Sequence, residues 1–332
     1  PNRSNCLRRF VKLSIIIVNY KAWQHIQAAL DVLSNGFPED WEIIIVDNET
    51  NDAELAIYQE RFSWVTMIGN PENSGFGMGC NIGVERAIGE HLLFMNPDVI
   101  ATVDEIRALM SEKSRHPEVG IITPRQVGPH GKPQKVFDEF PGFLNQSKLL
   151  KSLMRLLIPW RQPNPHGKHD ALVYCDWITG SFLLIDSNDL DRIGGWSQDY
   201  WMYVEDADLC KRAQDAGLRV ACTPDVQVIH VHGGSSRINV DVRTMTKLEV
   251  IISKHVYVQN HFSGIRRLAT HLFIALLRLP GLVLASALNV LSLGRVANLK
   301  IRWHMLGGLL RYYQGVLRSG NWLSERAKAN QV

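Results

Sequence analysis

Four clusters of acids and histidines stand out, because each follows an apolar run or opens a helical pattern. Asp47 ends "EIIIVD", and Asp98 follows the apolar run in "HLLFMNPDVI". Glu205, Asp206 and Asp208 lie together in "YVEDADLCKRA", and His230 and His232 alternate in "VQVIHVHGG". Carboxylates in such places take up protons or hold cations, and histidine does either. Each also has a plainer use. An Asp at a strand end caps a turn, acids in a first helical turn answer the helix dipole, and a lone histidine is more often structural than a ligand. Residues 228, 230 and 232 share one strand face, so alternation leaves the choice between His230 and His232 open.

To act together these groups need a sheet whose strand ends converge. "LSIIIVNY" and "EIIIVDNET" are continuous β-branched runs, separated by the helical pattern Trp23, Ile26, Ala29, Leu30, Leu33. Such runs, separated by helices, indicate a parallel sheet covered on both faces. "WVTMI", "HLLFM" and "VGIIT" supply further strands, with helices at about 53–62, 78–88 and 103–115. Ligands of an open parallel sheet bind at the carboxyl ends of its strands, which places Asp47 and Asp98 on one crevice. Between them, "NPENSGFGMGCNIGVERA" offers Gly75, Gly77, Gly79 and Gly83 for close backbone approach, and a helix start whose amides suit an anion. Its spacing is neither G-x-G-x-x-G nor a phosphate loop ending in G-K-[ST], which argues against hydride transfer and nucleotide hydrolysis.

Further along, residues 128–170 form a proline-interrupted loop region. It holds one amphipathic helix in "NQSKLLKSLMRLLIPW", with Leu149, Leu150, Leu153 and Leu157 on one face and Lys148, Lys151 and Arg155 on another. That helix either packs on the core or lies on a membrane. "ALVYCDWITGSFLLID" reads as a strand pair around Gly180, a helix starts near Glu205, and the compact part ends near residue 260.

Hydrophobic residues at 45% and charged residues at 21% of 332 describe a folded protein rather than a disordered one. The net charge of +3 is unevenly spread. From residue 261 onward ten Lys and Arg face one acid, Glu325, for about +9; the remaining 26 basic and 32 acidic residues leave about −6 before it. The five cysteines form no C-x-x-C pair and no disulfide framework, which fits a reducing setting. The basic start "PNRSNCLRRF" leads into no signal-peptide apolar segment, so export is not expected.

The segments "SIIIVNYK", "IIIVDNET", "NSGFGMGCNIG", "LLFMNPDV", "WITGSFLLI", "YWMYVEDADLCKRA" and "VIHVHGGS" occur here in a particular order. In that order the chain resembles bacterial family 2 glycosyltransferases with the GT-A fold, in the rhamnosyltransferase-like branch that elongates cell-surface polysaccharides. The resemblance covers residues 12 to 236. It implies an inverting transfer from a nucleotide-sugar, with dTDP-β-L-rhamnose as donor and UDP- and GDP-sugars as open alternatives. The donor-binding set it implies is Asn19, Tyr20, Asp47, Asn48, Asn73, Gly75, Asn81, Asn96 and Asp98. Asn96-Pro97-Asp98 takes the place of a D-x-D motif. Asn96 replaces its first acid, so Asp98 would be the main carboxylate for Mg2+ or Mn2+. His230 stands at the position of a metal-binding histidine. Asp206 is the implied base with Glu205 as runner-up, and Trp177, Gly180 and Ser181 border the acceptor sugar.

Residues 1–260 are therefore expected to form the catalytic domain and 261–332 a basic helical tail. The longest uncharged piece of the tail, Leu279 to Gly294, falls short of the roughly 20 residues of a spanning helix. Its basic, Trp- and Tyr-bearing character suits peripheral attachment to the cytoplasmic face of the inner membrane, where a lipid-linked oligosaccharide acceptor would be met. A helical appendage on the catalytic domain, or on a second subunit in a homo-oligomer, is the alternative. Nucleic acid would also attract the charge, but no nucleic-acid module accompanies it. Two other functions stay in view: a processive polysaccharide synthase, echoed by "KIRW" at 300–303, and a non-catalytic nucleotide-sugar or glycan-binding subunit.

Overall fold

The computed structural model describes residues 11–158, 163–165, 167, 169–231 and 240–331. Cys6 and His232 lie outside them.

The first half alternates strands and helices. β1 (Leu13–Asn19), α1 (Trp23–Leu33), β2 (Trp41–Asn48), α2 (Asp52–Arg61), β3 (Thr66–Asn70), α3 (Phe76–Val84), β4 (His91–Met95), β5 (Val99–Ile100), α4 (Val103–Arg115) and β6 (Val119–Val127) follow in order. All seven residues of β1 are buried, as its β-branched composition requires of a strand covered on both faces. Local signals set the helix starts. Asn51 caps α2 through the Ala53 and Glu54 amides, and Thr102 with Glu105 forms a capping box on α4.

The middle of the chain supplies β7 (Phe137–Asp138), a single 3-10 turn, α5 (Lys148–Leu157), β8 (Val173–Tyr174), β9 (Trp177–Ile178), β10 (Phe182–Asp186), α6 (Ser187–Arg192), α7 (Glu205–Asp215) and β11 (Arg219–His230). Four helices close the described chain: α8 (Val240–His261), α9 (Gly264–Leu291), α10 (Ala297–Ser319) and α11 (Glu325–Ala329).

The main sheet has the order β3-β2-β1-β4-β10-β6-β11-β5, with β8 pairing to β11, and β7 pairs with β9 in a separate two-stranded sheet. β3, β2, β1 and β4 are mutually parallel, β6 and β11 are parallel, and β10 runs antiparallel between β4 and β6. This is a mostly parallel sheet flanked by helices, as the strand-helix alternation implies. The expected strand pair around Gly180 is corrected. β9 and β10 do not pair with each other; β9 joins β7, whereas β10 inserts between β4 and β6.

Alternation along β1 feeds two cores. Leu13, Ile15 and Ile17 face α1 and α4, and Ile16 and Val18 face the side covered by α3, α6 and α7. α3 approaches β1 so closely that a Cβ on Gly83 would come within 2.5 Å of Ile16 Cγ2.

A third core joins α8, α9 and α10 to Tyr200 and Ala207 beside the sheet. Within it His255 links His271 at 2.8 Å and Tyr313 at 2.9 Å, and His271 stacks on Trp322 with ring centroids 3.7 Å apart. Burial pushes both imidazoles down, His255 to about 3 and His271 to about 4, so the cluster is neutral near pH 7. α9 runs through Pro280 for 28 residues and, by length and composition alone, is long and apolar enough to cross a membrane; 28% of its most apolar stretch is buried. The uncharged run alone understates it, because the helix continues across Arg278. α5 forms where its amphipathic pattern predicts. Leu149 is 78% exposed and Leu156 77%, so its apolar face is turned outward.

Candidate active site

One rim of the sheet collects the strand ends. β1 delivers Asn19, β2 Asp47 and Asn48, β4 leads into Asn96 and Asp98, β6 ends near Gln126 and β11 at His230, while antiparallel β10 brings in Ser181 from its start. A cleft of about 350 Å³ opens there, lined by Tyr20, Asn48, Asn73, Gly75, Asn96, Asp98, Gly180, Ser181, Glu205, Asp206 and His230 among others. Asp98 and Asp206 thus face one space.

Asp98 and His230 are held together by backbone pairing. The short β5·β11 ladder sets His230 opposite Val99, and the Val231 amide donates to the Asp98 carbonyl at 2.9 Å. Their side chains meet at 3.2 Å from His230 Nε2 to Asp98 Oδ1. Burial raises the Asp98 carboxyl, but the hydrogen bond and charge of His230 outweigh it and leave the group below its ordinary value. On the other ring edge Nδ1 lies 2.8 Å from Gln126 Oε1, and the Gln126 amide meets Ser181 Oγ at 2.9 Å. With Nδ1–H donating to that carbonyl oxygen, the ring is fixed with Nε2 on the Asp98 side, where a cation would take the place of the Nε2 proton without moving the ring. Among the described residues no group of three or more His, Cys, Asp or Glu forms a cation cage. One carboxylate and one imidazole still fit a divalent ion that takes its other oxygens from a substrate phosphate and water.

Asp206 arrives by a strained route. Tyr203 and Val204 precede it with φ of 69° and 70°, a left-handed conformation that a β-branched valine rarely adopts. α7 then starts at once and aims its first turn into the cleft. Asp206 Oδ2 accepts the Gly180 amide at 3.3 Å and Oδ1 the Ala207 amide at 2.8 Å. Burial pushes the Asp206 carboxyl above its ordinary value against these two bonds. Glu205, 6% exposed, is pushed further up by burial and by the neighbouring Asp206 charge, and its Oε2 has no hydrogen-bond partner. Burial thus disfavours charge on Glu205 beside Asp206. Asp208 serves structure instead: it accepts from Tyr200 and Arg212 and contacts His261, tying α7 to α8.

The asparagines act mainly as ties. Asn19 donates to Asp47 Oδ1 at 2.6 Å and accepts the Ala22 amide, so the Asp47 carboxylate is engaged by its neighbour strand and does not line the cleft. Burial, opposed by the Asn19 bond, takes Asp47 to about 6. Asn48 donates to the Gly75 carbonyl at 3.0 Å, and Asn73 Oδ1 accepts the Gly75 amide at 3.1 Å. Asn81 lies away from the cleft and clasps both backbone groups of Trp196. Trp177 likewise does not line it; its indole donates to the Glu139 carbonyl at 2.8 Å. Gln126, Lys135, Thr179 and Tyr203 line the cleft without having been singled out in the sequence. Gln126 had a readable signal, a polar residue near the end of an apolar strand, whereas Lys135 sits in a loop with no pattern.

Gly75 fixes the cleft's two walls to each other. Its φ is +88°, and a Cβ there would fall 1.8 Å from the Trp201 carbonyl oxygen, which accepts the Phe76 amide at 3.2 Å. Trp201 also donates to the Asn73 carbonyl and carries the Arg326 guanidinium over its ring at 4.9 Å.

Comparison with known proteins decides what this cleft belongs to. The sequence model described as "Glycosyl transferase family 2" matches residues 14–172. The chain carries a family 2 glycosyltransferase domain. This glycosyltransferase is 24% identical over 237 residues to the N-acetylglucosaminyl-diphospho-decaprenol L-rhamnosyltransferase of Mycobacterium tuberculosis, covering 66% of this chain and 75% of that one. It is 29% identical over 227 residues to rhamnosyltransferase WbbL of Escherichia coli, covering 65% and 82%. A solved mannosyltransferase from Pyrobaculum calidifontis, in complex with GDP-Man and Mn2+, superposes with a TM-score of 0.52 over 90% of this chain and 86% of that one, at 13% identity. That likeness concerns the fold, which is GT-A.

Proposed function

We propose that this glycosyltransferase moves L-rhamnose, with inversion, from dTDP-β-L-rhamnose to a lipid-linked glycan at the cytoplasmic face of the inner membrane. The observation that carries the reading is the shared cleft, with Asp98 and His230 on one wall and Asp206 on the other. The names of the two rhamnosyltransferase relatives support the sugar and the acceptor class.

Asp206 is the base in this reading. It takes the proton of the acceptor hydroxyl while that oxygen bonds to the anomeric carbon and the bond to the nucleotide diphosphate breaks on the opposite face. Its raised pKa suits a base working near neutrality, and the Gly180 and Ala207 amides hold the carboxylate in place. Glu205, on which burial and the Asp206 charge disfavour ionisation, is the weaker candidate for that role. Asp98 and His230 would hold Mg2+ or Mn2+ with help from the Asn96 amide oxygen, and such an ion supplies positive charge against the departing diphosphate. Asn48, Asn73 and Tyr20 form the donor wall, with Asp47 orienting Asn19 from behind. Gly180 and Ser181 leave room for the acceptor sugar, and Trp177 props their segment against residue 139. The basic helices beyond residue 260 and the outward leucines of α5 and α9 would rest on anionic lipid.

A panel of dTDP-, UDP- and GDP-sugars with a lipid-like acceptor and Mg2+ or Mn2+ tests the reading. Transfer from dTDP-β-L-rhamnose, lost in Asp206→Asn with donor binding retained, is the expected result. Full transfer by that variant would refute the assigned base.

A further inference from the structure

The stretch after α10 turns back across the molecule. Gly320 ends α10 in the left-handed conformation, and the residues that follow dock on the helices. Trp322 lies flat on His271 of α9 with ring centroids 3.7 Å apart, and its carbonyl accepts the Tyr312 hydroxyl of α10 at 2.7 Å. Ser324 then caps α11 through the Ala327 amide, and both residues are buried. A helix of five residues has too few bonds to stand alone, so α11 is held by what it packs against.

What it packs against is the outer side of the cleft wall. The Arg326 guanidinium lies 3.9 Å from Glu249 of α8 and over the Trp201 ring at 4.9 Å. Further on, Asn330 donates to the Ser74 carbonyl at 2.7 Å, a bond between residues 256 positions apart. Gln331 donates to one oxygen of Asp199 at 2.9 Å, and Asn260 of α8 donates to the other at 2.8 Å. Residues 322–331 thus strap α8, α9 and α10 to both segments that meet at Gly75. The loop they reach, 71–75, belongs to no strand or helix, yet it brings Asn73 and Gly75 to the cleft. Its Ser74 hydroxyl donates to Asn48 Oδ1 at 3.3 Å, and Asn48 lines the cleft too. Such a loop keeps one shape only while outside partners hold its polar groups. Here Asn330 holds the Ser74 carbonyl directly, and Arg326 backs Trp201, whose indole holds the Asn73 carbonyl at 2.8 Å.

We propose that Arg326 and Asn330 are positioning residues for the nucleotide: through Trp201 and the Ser74 carbonyl they hold the 73–75 loop in the shape that receives the donor. The donor wall is then completed by the C-terminal strap and not by the sheet domain alone. The inference rests on the reading of Asn48 and Asn73 as that wall. Neither Arg326 nor Asn330 lines the cleft, so neither touches substrate. Their loss should therefore weaken nucleotide binding and leave the chemical step, which belongs to Asp206, nearly intact.

The test uses the full chain. Binding of dTDP, UDP and GDP with Mg2+ or Mn2+ is measured by calorimetry, and the nucleotide that the wild type binds most tightly is the probe. Asn330→Ala should raise its Kd by about fivefold, the effect of one neutral hydrogen bond. Asn330→Asp, equal in size but with no amide to donate, should do at least as much, and Asn330→Gln should restore most of the affinity. Arg326→Gln should weaken binding by about threefold, and Arg326→Lys, which keeps a cation over the indole, should recover it. With the sugar-nucleotide that the wild type uses, KM should rise in step while kcat stays within about twofold. Hydrogen exchange in Asn330→Ala should quicken at the Gly75 and Phe76 amides and stay unchanged in β1 and α4. Unaltered Kd in both Asn330→Ala and Arg326→Gln would overturn the proposal and leave the donor wall standing. So would a lowered kcat at unchanged Kd, or a lower Tm with no change in Kd, which would make the strap a brace only. If the wild type bound none of the three nucleotides, the donor wall itself would be refuted, and this inference with it.

Discussion

The sheet domain and the C-terminal helices treat apolar surface in opposite ways. Across β1, β2 and β4 nearly every aliphatic side chain is buried, and the polar residues gather at one rim. α9 and α10 bury one apolar stripe, with Ile274, Leu282, Ile301 and Leu309, and leave much of the rest outside: Leu276 is 70% exposed and Leu317 88%, while α9 buries His271, Ser286 and Asn289. One region is a finished core that spends its polar groups on a site. The other leaves its apolar surface for a partner that water cannot be. That contrast, more than the helix lengths, separates chemistry from placement in this chain.

The sharpest way to break the comparison is to damage one region and read the other. Asp206→Asn should lower transfer by about a thousandfold and leave vesicle binding intact; a parallel loss of vesicle binding would show that the regions are not separable. The same variant should gain stability above neutral pH. A carboxyl whose folded pKa is raised favours the protonated fold, so its stabilising effect fades as pH rises, and the amide removes that loss. Thermal melts at pH 5 and pH 8 would check the sign.

Gly75→Ala comes next. With a carbonyl oxygen 1.8 Å from the new methyl and a left-handed backbone, it should cost at least about 2 kcal/mol in urea unfolding. A neutral result would mean that the two walls are not locked together. On the helical side, Leu272→Glu with Leu276→Glu should weaken binding to anionic vesicles by about tenfold and spare turnover of a water-soluble acceptor. The smallest effect is expected at Glu249 in α8, which burial, opposed by Arg326, raises to about 7. Stability from its protonated form is present at low pH and lost as pH climbs through about 7, so Glu249→Gln should gain about 1 kcal/mol at pH 8.5 and little at pH 5.5.

What was legible in the sequence follows the same division. β1, β2 and β4 announce themselves because burial on both faces demands unbroken β-branched runs, and α4 through its Thr102–Glu105 cap. Asp98, Asp206 and His230 could be picked out as residues at strand ends and a helix start, and they share one cleft. Their mutual geometry was not legible, since Asn19 turning to Asp47, or Gln126 bridging His230 and Ser181, joins residues 28, 104 and 55 positions apart. The strand pair around Gly180 fails for a related reason. Neighbours in sequence usually pair, but here β10 gains more by filling the gap between β4 and β6. Lys135 gave no signal at all, because a lone lysine in a loop looks solvated until its surroundings are known.

The Trp201 carbonyl above Gly75 has a kinetic consequence. Since the 73–76 loop and the segment leading to α7 share that contact, together with the Phe76 and Asn73 hydrogen bonds, neither can swing outward like a jaw without breaking the other's backbone anchors. Exchange of any ligand held there is thereby confined to the open mouth of the groove.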